Sequence, residues 1–248
     1  MSTQPFNDLS DVYEAMIDWP KRLANEEPFY RRVFDRVGAR RLLDVACGTG
    51  HHAAHFHRWG LHVEGADVSP NMIERARARF GEPDGLRWLV RAFDQPAVED
   101  EPFDVAICIG NSLSLARDHR TVERALGEMI GAIRPGGLAV VHVLNLWQLP
   151  DGPCQWQKCQ RTRLGGGDVL IVKGVHRAGN RGYVDLVVAD PGGRMLHNES
   201  APLLGLEAAE LEAMVRRAGA RAVEFFGGYR DQPYERPTSI DLVMVAEK

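Results

Sequence analysis

The stretch RRLLDVACGTGHHAAHF, residues 40–56, joins a short apolar run to a helix-like segment through two glycines. The apolar run has the pattern of a buried strand. A glycine turn between a strand and a helix is suited to anions, because backbone N–H groups point out of the helix N-terminus. Asp44, however, ends the apolar run, and its carboxylate would repel a phosphate. We therefore expect a ligand that carries a positive charge beside its anionic group.

The alternation of strand and helix patterns continues beyond this turn. A helical segment precedes it at residues 9–36, with breaks predicted at Pro20 and Pro28. Strand patterns follow at 62–69, 86–93, 103–110 and 138–144, separated by helical patterns. Residues 147–200 instead show short β runs between glycine turns, and a closing helix and β-hairpin end the chain. We predict one α/β domain over residues 1–248: a Rossmann-like doubly wound, mostly parallel seven-stranded sheet, with an antiparallel insertion after the fifth strand that covers the site.

Composition narrows the class of protein. The chain has 248 residues, of which 44% are hydrophobic and 26% are charged, as in ordinary globular proteins. A net charge of −4 provides no basic field, which argues against a nucleic-acid partner. No apolar stretch is long enough for a bilayer, so we expect no membrane partner and a cytoplasmic location. Four cysteines do not form a disulfide framework, and we expect reduced thiols.

The residues around the turn indicate which ligand it binds. Gly48, Gly50 and Ala53 fit the loose dinucleotide pattern, which is a weak signal by itself. Asp44 suits an ammonium beside a carboxylate, as in the methionyl end of S-adenosylmethionine (SAM). Asp67, which ends the second strand, has the position of an acid that binds ribose hydroxyls. Met72 could lie against an adenine ring. The alternatives are a capping carboxylate at Asp44 and a core side chain at Met72.

Two longer segments support the same ligand. LLDVACGTG with GADVS resembles the first two motifs of class I SAM-dependent methyltransferases. FDVAICIGNSLSLARD with IRPGGLAVV resembles the glycine N-methyltransferase branch, and the resemblance covers most of residues 10–145. It implies that the protein is an enzyme with SAM as cofactor and S-adenosylhomocysteine (SAH) as product. The family includes monomers and higher assemblies, so a homo-oligomer stays open.

The cofactor residues follow from this resemblance and from the turn itself. Arg22 matches a family arginine that reaches the SAM carboxylate, and Tyr13 and Trp19 would close over the cofactor. Phe93 and Asp94 fall near the adenine, where the family prefers Asn-Trp. The predicted cofactor-binding set is Tyr13, Trp19, Arg22, Asp44, Ala46, Gly48, Thr49, Gly50, His51, Asp67, Val68, Met72, Ala92, Phe93, Asp94, Ile109 and Ser112.

The acceptor residues are predicted at the ends of later strands. In the glycine enzyme a His-Arg-Asn motif supplies an arginine for the substrate carboxylate, whereas VVHVLN places Leu144 there. Leucine cannot replace a bidentate contact, so free glycine is a poor acceptor unless Arg161 or Arg163 moves in. We expect a less polar acceptor with a nucleophilic nitrogen, such as an aromatic or heterocyclic metabolite. The predicted substrate-binding residues are Asn111, Leu144, Trp147, Trp156, Tyr229 and Tyr234, although the two tyrosines could equally be surface residues.

The predicted catalytic residues are Asn111 and His142. The Asn111 side-chain oxygen would accept an N–H bond from an amine, which needs no base during transfer. For O- or C-methylation a base is required, and His142 is the candidate, unless it only packs at a strand end. We predict no metal site: His51 and His55 share a helix face, but no further ligand completes a shell. Rival functions are an NAD-dependent oxidoreductase and a non-catalytic SAM-binding protein.

Overall fold

The computed structural model of the chain describes residues 10–97 and 101–248. Leu9, the first residue of the predicted N-terminal helical segment, therefore lies outside the described residues. The helices are α1 Ser10–Met16, α2 Trp19–Asp35, α3 His51–His57, α4 Pro70–Phe80, α5 His119–Ala132 and α6 Ala208–Arg217. The strands are β1 Arg41–Asp44, β2 His62–Asp67, β3 Leu86–Val90, β4 Phe103–Cys108, β5 Ile133–Leu144, β6 Gln155–Leu164, β7 Gly167–Ala178, β8 Arg181–Ala189, β9 Met195–Leu204, β10 Ala222–Phe226 and β11 Asp241–Glu247.

The central sheet has seven strands in the order β10-β11-β5-β4-β1-β2-β3. β1 to β5 pair in parallel, while β11 runs antiparallel to β5 and β10 runs antiparallel to β11. The order reverses direction at β1 and β4, where ligands of open α/β sheets bind. The predicted fold class is confirmed.

Apolar side chains cover both faces of this sheet. On one face, β4 and β5 pack with α5 and α6 around Leu126, Met129 and Leu211. On the other, β1 and β2 pack with α2, α3 and α4 around Phe29 and Phe56. Strands buried on both sides read as continuous apolar runs, which is why the sequence pattern located them correctly.

Antiparallel strands form the insertion, as predicted. β6, β7, β8 and β9 make a separate four-stranded sheet in sequential order. Its last strand continues to Leu204, beyond the predicted boundary at residue 200. Pairing with β8 fixes the end of β9, because Leu204 pairs with Arg181 and Gly205 donates its N–H to the Asn180 carbonyl.

The predicted elements are wrong at Pro28 and at several strand ends. β2 and β4 end at Asp67 and Cys108, two residues before the predicted ends, and β5 begins at Ile133 rather than at residue 138. Pro28 does not break the helix, since α2 continues through it to Asp35. The buried face of α2, with Leu23 before the proline and Tyr30 and Val33 after it, holds the helix together. The third strand ends at Val90 rather than at residue 93, because the chain turns away from β2 there. None of the helices described is long and apolar enough to cross a membrane.

Candidate active site

The carboxyl edge of the central sheet brings the predicted acids together. Asp44 ends β1 and Asp67 ends the neighbouring β2. Leu144 ends β5, and the antiparallel register places Asp241, the first residue of β11, directly opposite Leu144. Parallel strands that point the same way thus place the predicted cofactor residues at one edge, and β11 adds a carboxylate there.

The glycine turn between β1 and α3 has left-handed backbone at Gly48 and Gly50. A Cβ atom on Gly50 would lie 2.6 Å from the Trp88 ring, so that position excludes any side chain. No atom within 4 Å would meet a Cβ on Gly48, among the residues the structure describes. The turn therefore packs tightly against β3 through Gly50, while the space before Gly48 is open to a ligand.

Asp44 is a buried carboxylate without a cationic partner in the described part of the chain. Its side chain is 1% exposed and accepts one weak bond, from the Ala46 N–H at 3.4 Å. Burial, helped by the charge of Asp67, raises the pKa of Asp44 to about 8. A ligand ammonium would supply the positive charge that Asp44 lacks. This residue therefore suits the methionyl end of SAM, whereas it would repel a pyrophosphate.

Asp67 is held in place by the turn and by the start of α4. Its two oxygens accept the N–H groups of Gly48 and Ser69, each at 2.9 Å. Burial raises the pKa of Asp67 despite these bonds. Val68 is exposed beside it, and Met72 is buried in the first turn of α4. The acid Asp67, the exposed Val68 and the buried Met72 are thus neighbours at the end of β2, and their contacts with ribose and adenine stay a prediction.

The predicted adenine-side residues follow β3. Asp94 forms an ion pair with Arg124 of α5 at 2.5 Å. Phe93 packs against the core face that α5 covers, and the Ala92 N–H donates to the Gln95 side chain. Their contacts with an adenine stay a prediction.

The N-terminal helices lie over the glycine turn. The Trp19 and His51 rings stack with centroids 4.0 Å apart and planes 9° apart, and Tyr13 meets the edge of Trp19. Glu14 of α1 bonds the Thr49 hydroxyl and lies 3.0 Å from His51 Nε2. Burial opposes the charge of Glu14, but these hydrogen bonds lower its pKa to about 2. The sequence analysis did not identify Glu14; no motif marks it.

Arg22 is positioned by a buried relay. Its Nε donates to Glu26 Oε1 at 2.8 Å, and Glu26 Oε2 lies 2.7 Å from His52 Nε2. Although burial opposes it, the neighbours His52 and Arg22 lower the pKa of Glu26 to about 2. The guanidinium lies near Gly110, at the end of β4. Arg22 is therefore fixed close to the site at which it is predicted to bind the SAM carboxylate.

The segment after β4 makes a sharp turn through Gly110 and Asn111, both left-handed, with φ of 71° and 76°. Asn111 Oδ1 accepts the Leu144 N–H at 2.9 Å, so this oxygen joins the ends of β4 and β5. The Ser112 hydroxyl donates to the carbonyl of the buried Ile109 at 3.0 Å. The expected role of Asn111 as an acceptor for substrate stays a prediction, and the oxygen already has one backbone donor.

His142 is held from both sides. Its Nδ1 accepts the Gly110 N–H at 3.2 Å, which places the ring proton on Nε2. Nε2 lies 3.1 Å from Asp241 Oδ1, although the two are not aligned for a hydrogen bond. Tyr229 lies against the ring with centroids 5.2 Å apart. With Nδ1 occupied, the geometry favours the packing role over that of a general base.

A cavity of about 540 Å³ opens beside this edge and beneath the insertion. The central domain contributes Asn111, His142, Leu144, Tyr229 and Asp241 to its lining, and α2 contributes Arg22 and Glu26. The insertion contributes Lys173, Val175 and Val184. Residues of the insertion thus line the cavity, and its covering of the substrate site stays a prediction. Asp241, Glu26 and Lys173 were missed, although the alternation of β7 could have shown Lys173 on an apolar face.

Three predicted substrate residues lie elsewhere. Trp156 is 62% exposed and lies over Gly174, on the sheet face opposite to the cavity. Trp147 packs under Arg236 and donates its indole N–H to the Leu206 carbonyl at 3.4 Å. The Tyr234 hydroxyl bonds Asn145 at 3.2 Å. The expected aromatic walls are thus wrong, because strand alternation and loop packing direct these rings away.

The arginines of the insertion do not replace the missing family arginine. Arg161 pairs with Asp168 at 2.5 Å, and Arg163 donates to the Gly166 carbonyl. Neither is among the residues that line the cavity. Charged groups line it beside apolar ones such as Leu144, Val175 and Val184, and the expectation of a weakly polar acceptor stays a prediction.

The histidines and cysteines have ordinary partners. His51 bonds Glu14, while His55 lies 3.4 Å from Glu27, so the two do not share a ligand. The four cysteines Cys47, Cys108, Cys154 and Cys159 are free. Cys154 lies with His176 and Asp185 on the outer face of the insertion, where Asp185 Oδ2 is 2.6 Å from His176 Nδ1. Hydrogen bonds account for this group.

Comparisons with known proteins agree with the geometry. Residues 42–137 match a family described as a methyltransferase domain. The glycine/sarcosine N-methyltransferase of Parasynechococcus marenigrum (strain WH8102) is 29% identical over 247 residues, which cover 97% of this chain and 83% of that protein. The dTDP-3-amino-3,4,6-trideoxy-alpha-D-glucopyranose N,N-dimethyltransferase of Streptomyces venezuelae is 30% identical over 191 residues, which cover 75% of this chain and 78% of that protein.

A solved structure extends the similarity to the whole fold. The structure of SAM-bound CalS10, an amino pentose methyltransferase from Micromonospora echinaspora, superposes with a TM-score of 0.72 at 25% identity, and the match covers 96% of this chain and 97% of that one. These findings confirm the predicted resemblance and SAM as the cofactor. The chain belongs to the class I SAM-dependent methyltransferases.

Proposed function

We propose that this enzyme transfers the methyl group of SAM to an amine nitrogen of a small molecule that binds in the cavity beneath the insertion. The observation that carries the proposal is the Asp241 carboxylate at the cavity edge, opposite Leu144 and 3.1 Å from His142. An acidic group in an acceptor cavity attracts an ammonium and can orient amine N–H groups. Both sequence relatives described above are N-methyltransferases by name.

The residues of this chain act mainly by positioning. SAM supplies a methyl group that is already activated by its sulfonium. Asp44, Asp67 and Arg22 would fix the cofactor, and Asp241 and Asn111 would orient the amine whose lone pair attacks. Holding the reacting atoms in line can supply roughly 7–11 kcal/mol of the barrier. An acceptor that arrives as an ammonium first loses one proton to solvent, since Asp241 is 28% exposed, and its neutral amine then attacks. The products are the methylated ammonium and SAH.

The geometry disfavours transfer to a hydroxyl. Such an acceptor needs a base, and His142 Nδ1 is already bonded by the Gly110 N–H. An amine on a sugar is the acceptor class that we propose, because the cavity of about 540 Å³ combines charged and polar groups with apolar side chains such as Val175 and Val184. A sugar nitrogen is also the acceptor that the name of the Streptomyces venezuelae relative states.

A turnover experiment tests the proposal. The protein is incubated with SAM and, separately, with amino sugars, aromatic amines, phenols and thiols, and mass spectrometry measures SAH and the methylated products. We expect methylated amino sugars and no methylated phenols. Asp241→Asn should raise KM for amines more than it lowers SAH affinity. Methylation of phenols alone would contradict the proposal, and tight SAM binding without turnover would favour the non-catalytic alternative.

We further propose that the acceptor is small and that nucleic acid is not a partner, on the net charge of −4. A cytoplasmic location stays a prediction. Size-exclusion chromatography with light scattering tests whether the chain forms a homo-oligomer.

A further inference from the structure

Lys173 interrupts the apolar inner face of the insertion sheet. Side chains on one face of a strand recur every second residue. On β7 this row consists of Val169, Ile171, Lys173 and Val175, and the three apolar members are at most 6% exposed. Lys173 thus lies between two apolar clusters, one around Ile171 and the other around Val175. Lys173 itself is half-buried and lines the cavity, so its charge is partly shielded from water and an anion beside it would be favourable.

No anion of the protein accompanies Lys173. Within residues 10–97 and 101–248, its ammonium makes no hydrogen bond and no ion pair, and the charges that act on it are those of Arg22 and Lys158. Burial, followed by these two cations, lowers the pKa of Lys173. Arg22 is already paired with Glu26 at 2.8 Å, and Lys158 bonds the Met16 carbonyl. The positive charge at this end of the cavity is therefore uncompensated.

The other charges of the cavity do not compensate it. Glu26 is bonded by Arg22 and His52, and Asp241 lies beside His142. Asp18, the remaining acid of the lining, caps α2 and accepts the Lys21 N–H at 3.1 Å. The carboxylate of Asp241 lies at the central-sheet edge, whereas Lys173 belongs to the insertion sheet that covers it. The cavity thus has an acidic side on the central domain and an unpaired cation on the insertion.

We infer that Lys173 forms an anion subsite, which binds a carboxylate or phosphate group carried by the amine acceptor. The inference rests on the proposed function and deepens it: the acceptor bears both an amine, directed to Asp241, and an anionic group, directed to Lys173. A lysine ammonium is a compact charge that binds either group without the fork geometry of arginine. The carboxylate of SAM is the other anion that could reach Lys173.

Three variants test the subsite. Lys173→Met removes the charge and keeps an apolar row, Lys173→Arg keeps the charge, and Lys248→Met is a matched lysine control that lies at the chain terminus and bonds backbone carbonyls. Calorimetry titrates inorganic phosphate into each SAH-saturated protein. We expect phosphate binding in wild type, Lys173→Arg and Lys248→Met, and a loss of roughly 10- to 100-fold in Lys173→Met. Its melting temperature should not fall.

Turnover then identifies the source of the anion. An amino sugar and its phosphate ester serve as acceptors, and we expect Lys173→Met to raise KM for the ester alone. SAH affinity should be unchanged in Lys173→Met; a parallel loss of SAH affinity would assign Lys173 to the cofactor carboxylate and overturn the inference. Equal phosphate binding in wild type and Lys173→Met would also overturn it. If neither wild type nor any variant methylates an amine, the proposed function is wrong, regardless of the phosphate affinities.

Discussion

The indole ring of Trp19 lies parallel to the imidazole ring of His51, with the centroids 4.0 Å apart. This stack connects the first turn of α2 to the first turn of α3, which follows directly on the glycine turn. A cofactor bound at that turn would lie beneath the N-terminal helices. Release of the product SAH would then require this contact to loosen.

Trp19→Leu should therefore speed SAH dissociation. Loss of an aromatic stack accounts for roughly a two- to tenfold increase in rate. Stopped-flow displacement of SAH measures it. Trp59→Leu is the matched control, because Trp59 packs against Phe34 and Phe56 at the far end of α3 and should alter stability only. Equal dissociation rates in wild type and Trp19→Leu would exclude a covering role.

The raised pKa of Asp44 predicts pH-dependent cofactor binding. With a pKa of about 8 in the free protein, Asp44 is protonated at neutral pH. The ammonium of SAH favours the carboxylate, so binding expels that proton and affinity increases as pH rises. We expect the dissociation constant to fall by up to about tenfold per pH unit between about pH 5.5 and 7.5. Calorimetry in two buffers of different ionisation enthalpy counts the proton released.

Asp44→Asn is the control for this linkage. The amide cannot titrate, so binding should be weak and should not vary with pH in that range. A steep pH dependence that survives in Asp44→Asn would assign the titration to another group, such as Asp67.

The lowered pKa of Glu26 predicts a loss of stability in acid. The ordinary glutamate value is 4.5 and that of Glu26 is about 2, so the stabilisation is present above the ordinary value and disappears as pH falls toward 2. The side chain is 8% exposed, and the shift corresponds to about 3 kcal/mol. Glu26→Gln should lower the free energy of unfolding at neutral pH. The free energy of unfolding of this variant should also decrease less than that of wild type as the pH falls.

Urea unfolding at several pH values measures this effect. Glu27→Gln is the control on the same helix, because the Glu27 side chain is 35% exposed and its pair with Arg31 is weak. Should Glu26→Gln and wild type lose stability in parallel on acidification, the relay of Arg22, Glu26 and His52 would not be the source.

Replacement of Asn111 separates backbone geometry from side-chain bonding. Asn111→Ala loses the acceptor for the Leu144 N–H and strains a backbone of φ 76°, at a cost of about 2 kcal/mol or more. Asn111→Gly loses only the bond, and Asn111→Asp retains an acceptor. We expect melting temperatures to fall in the order Asp, Gly, Ala. An alanine variant as stable as wild type would show that the bond to Leu144 contributes nothing.

Free glycine should be a poor acceptor. Leu144 offers its carboxylate no partner, and only one carbon separates the amine of glycine from its carboxylate. We expect so short a molecule to reach only one of Asp241 and Lys173, which belong to separate sheets, and to fill a small part of a cavity of about 540 Å³. We expect kcat/KM for glycine to be at least about tenfold below that for the best amine. Leu144→Arg should increase kcat/KM for glycine only modestly. Asp241 is the cross-strand neighbour of that position and would compete with the glycine carboxylate for the new guanidinium. Efficient methylation of glycine by wild type would refute this prediction.

Sequence patterns captured the parts of the protein that depend on local order along the chain. The apolar runs, the glycine turn and the acids at strand ends follow one another within residues 40–67, so their roles could be predicted from spacing. Predicted boundaries were wrong where tertiary packing overrides a local signal. At Pro28 the helix α2 continues, because the packing of its buried face outweighs the helix-breaking effect of proline. The prediction that Trp156 contacts substrate was made without knowing its sheet face. Only the register of β6 and β7 determines which face that side chain occupies.

The sequence by itself determined the doubly wound sheet and a cofactor turn with Asp44 beside it, because these depend on hydrophobic period and on residues adjacent in the chain. Only the tertiary structure decided what surrounds the acceptor. Asp241 meets Leu144 and His142 across strands that are about a hundred residues apart, and Lys173 reaches the same cavity from a separate sheet. Burial and pairing of charges depend on such long-range contacts, which no spacing along the chain encodes.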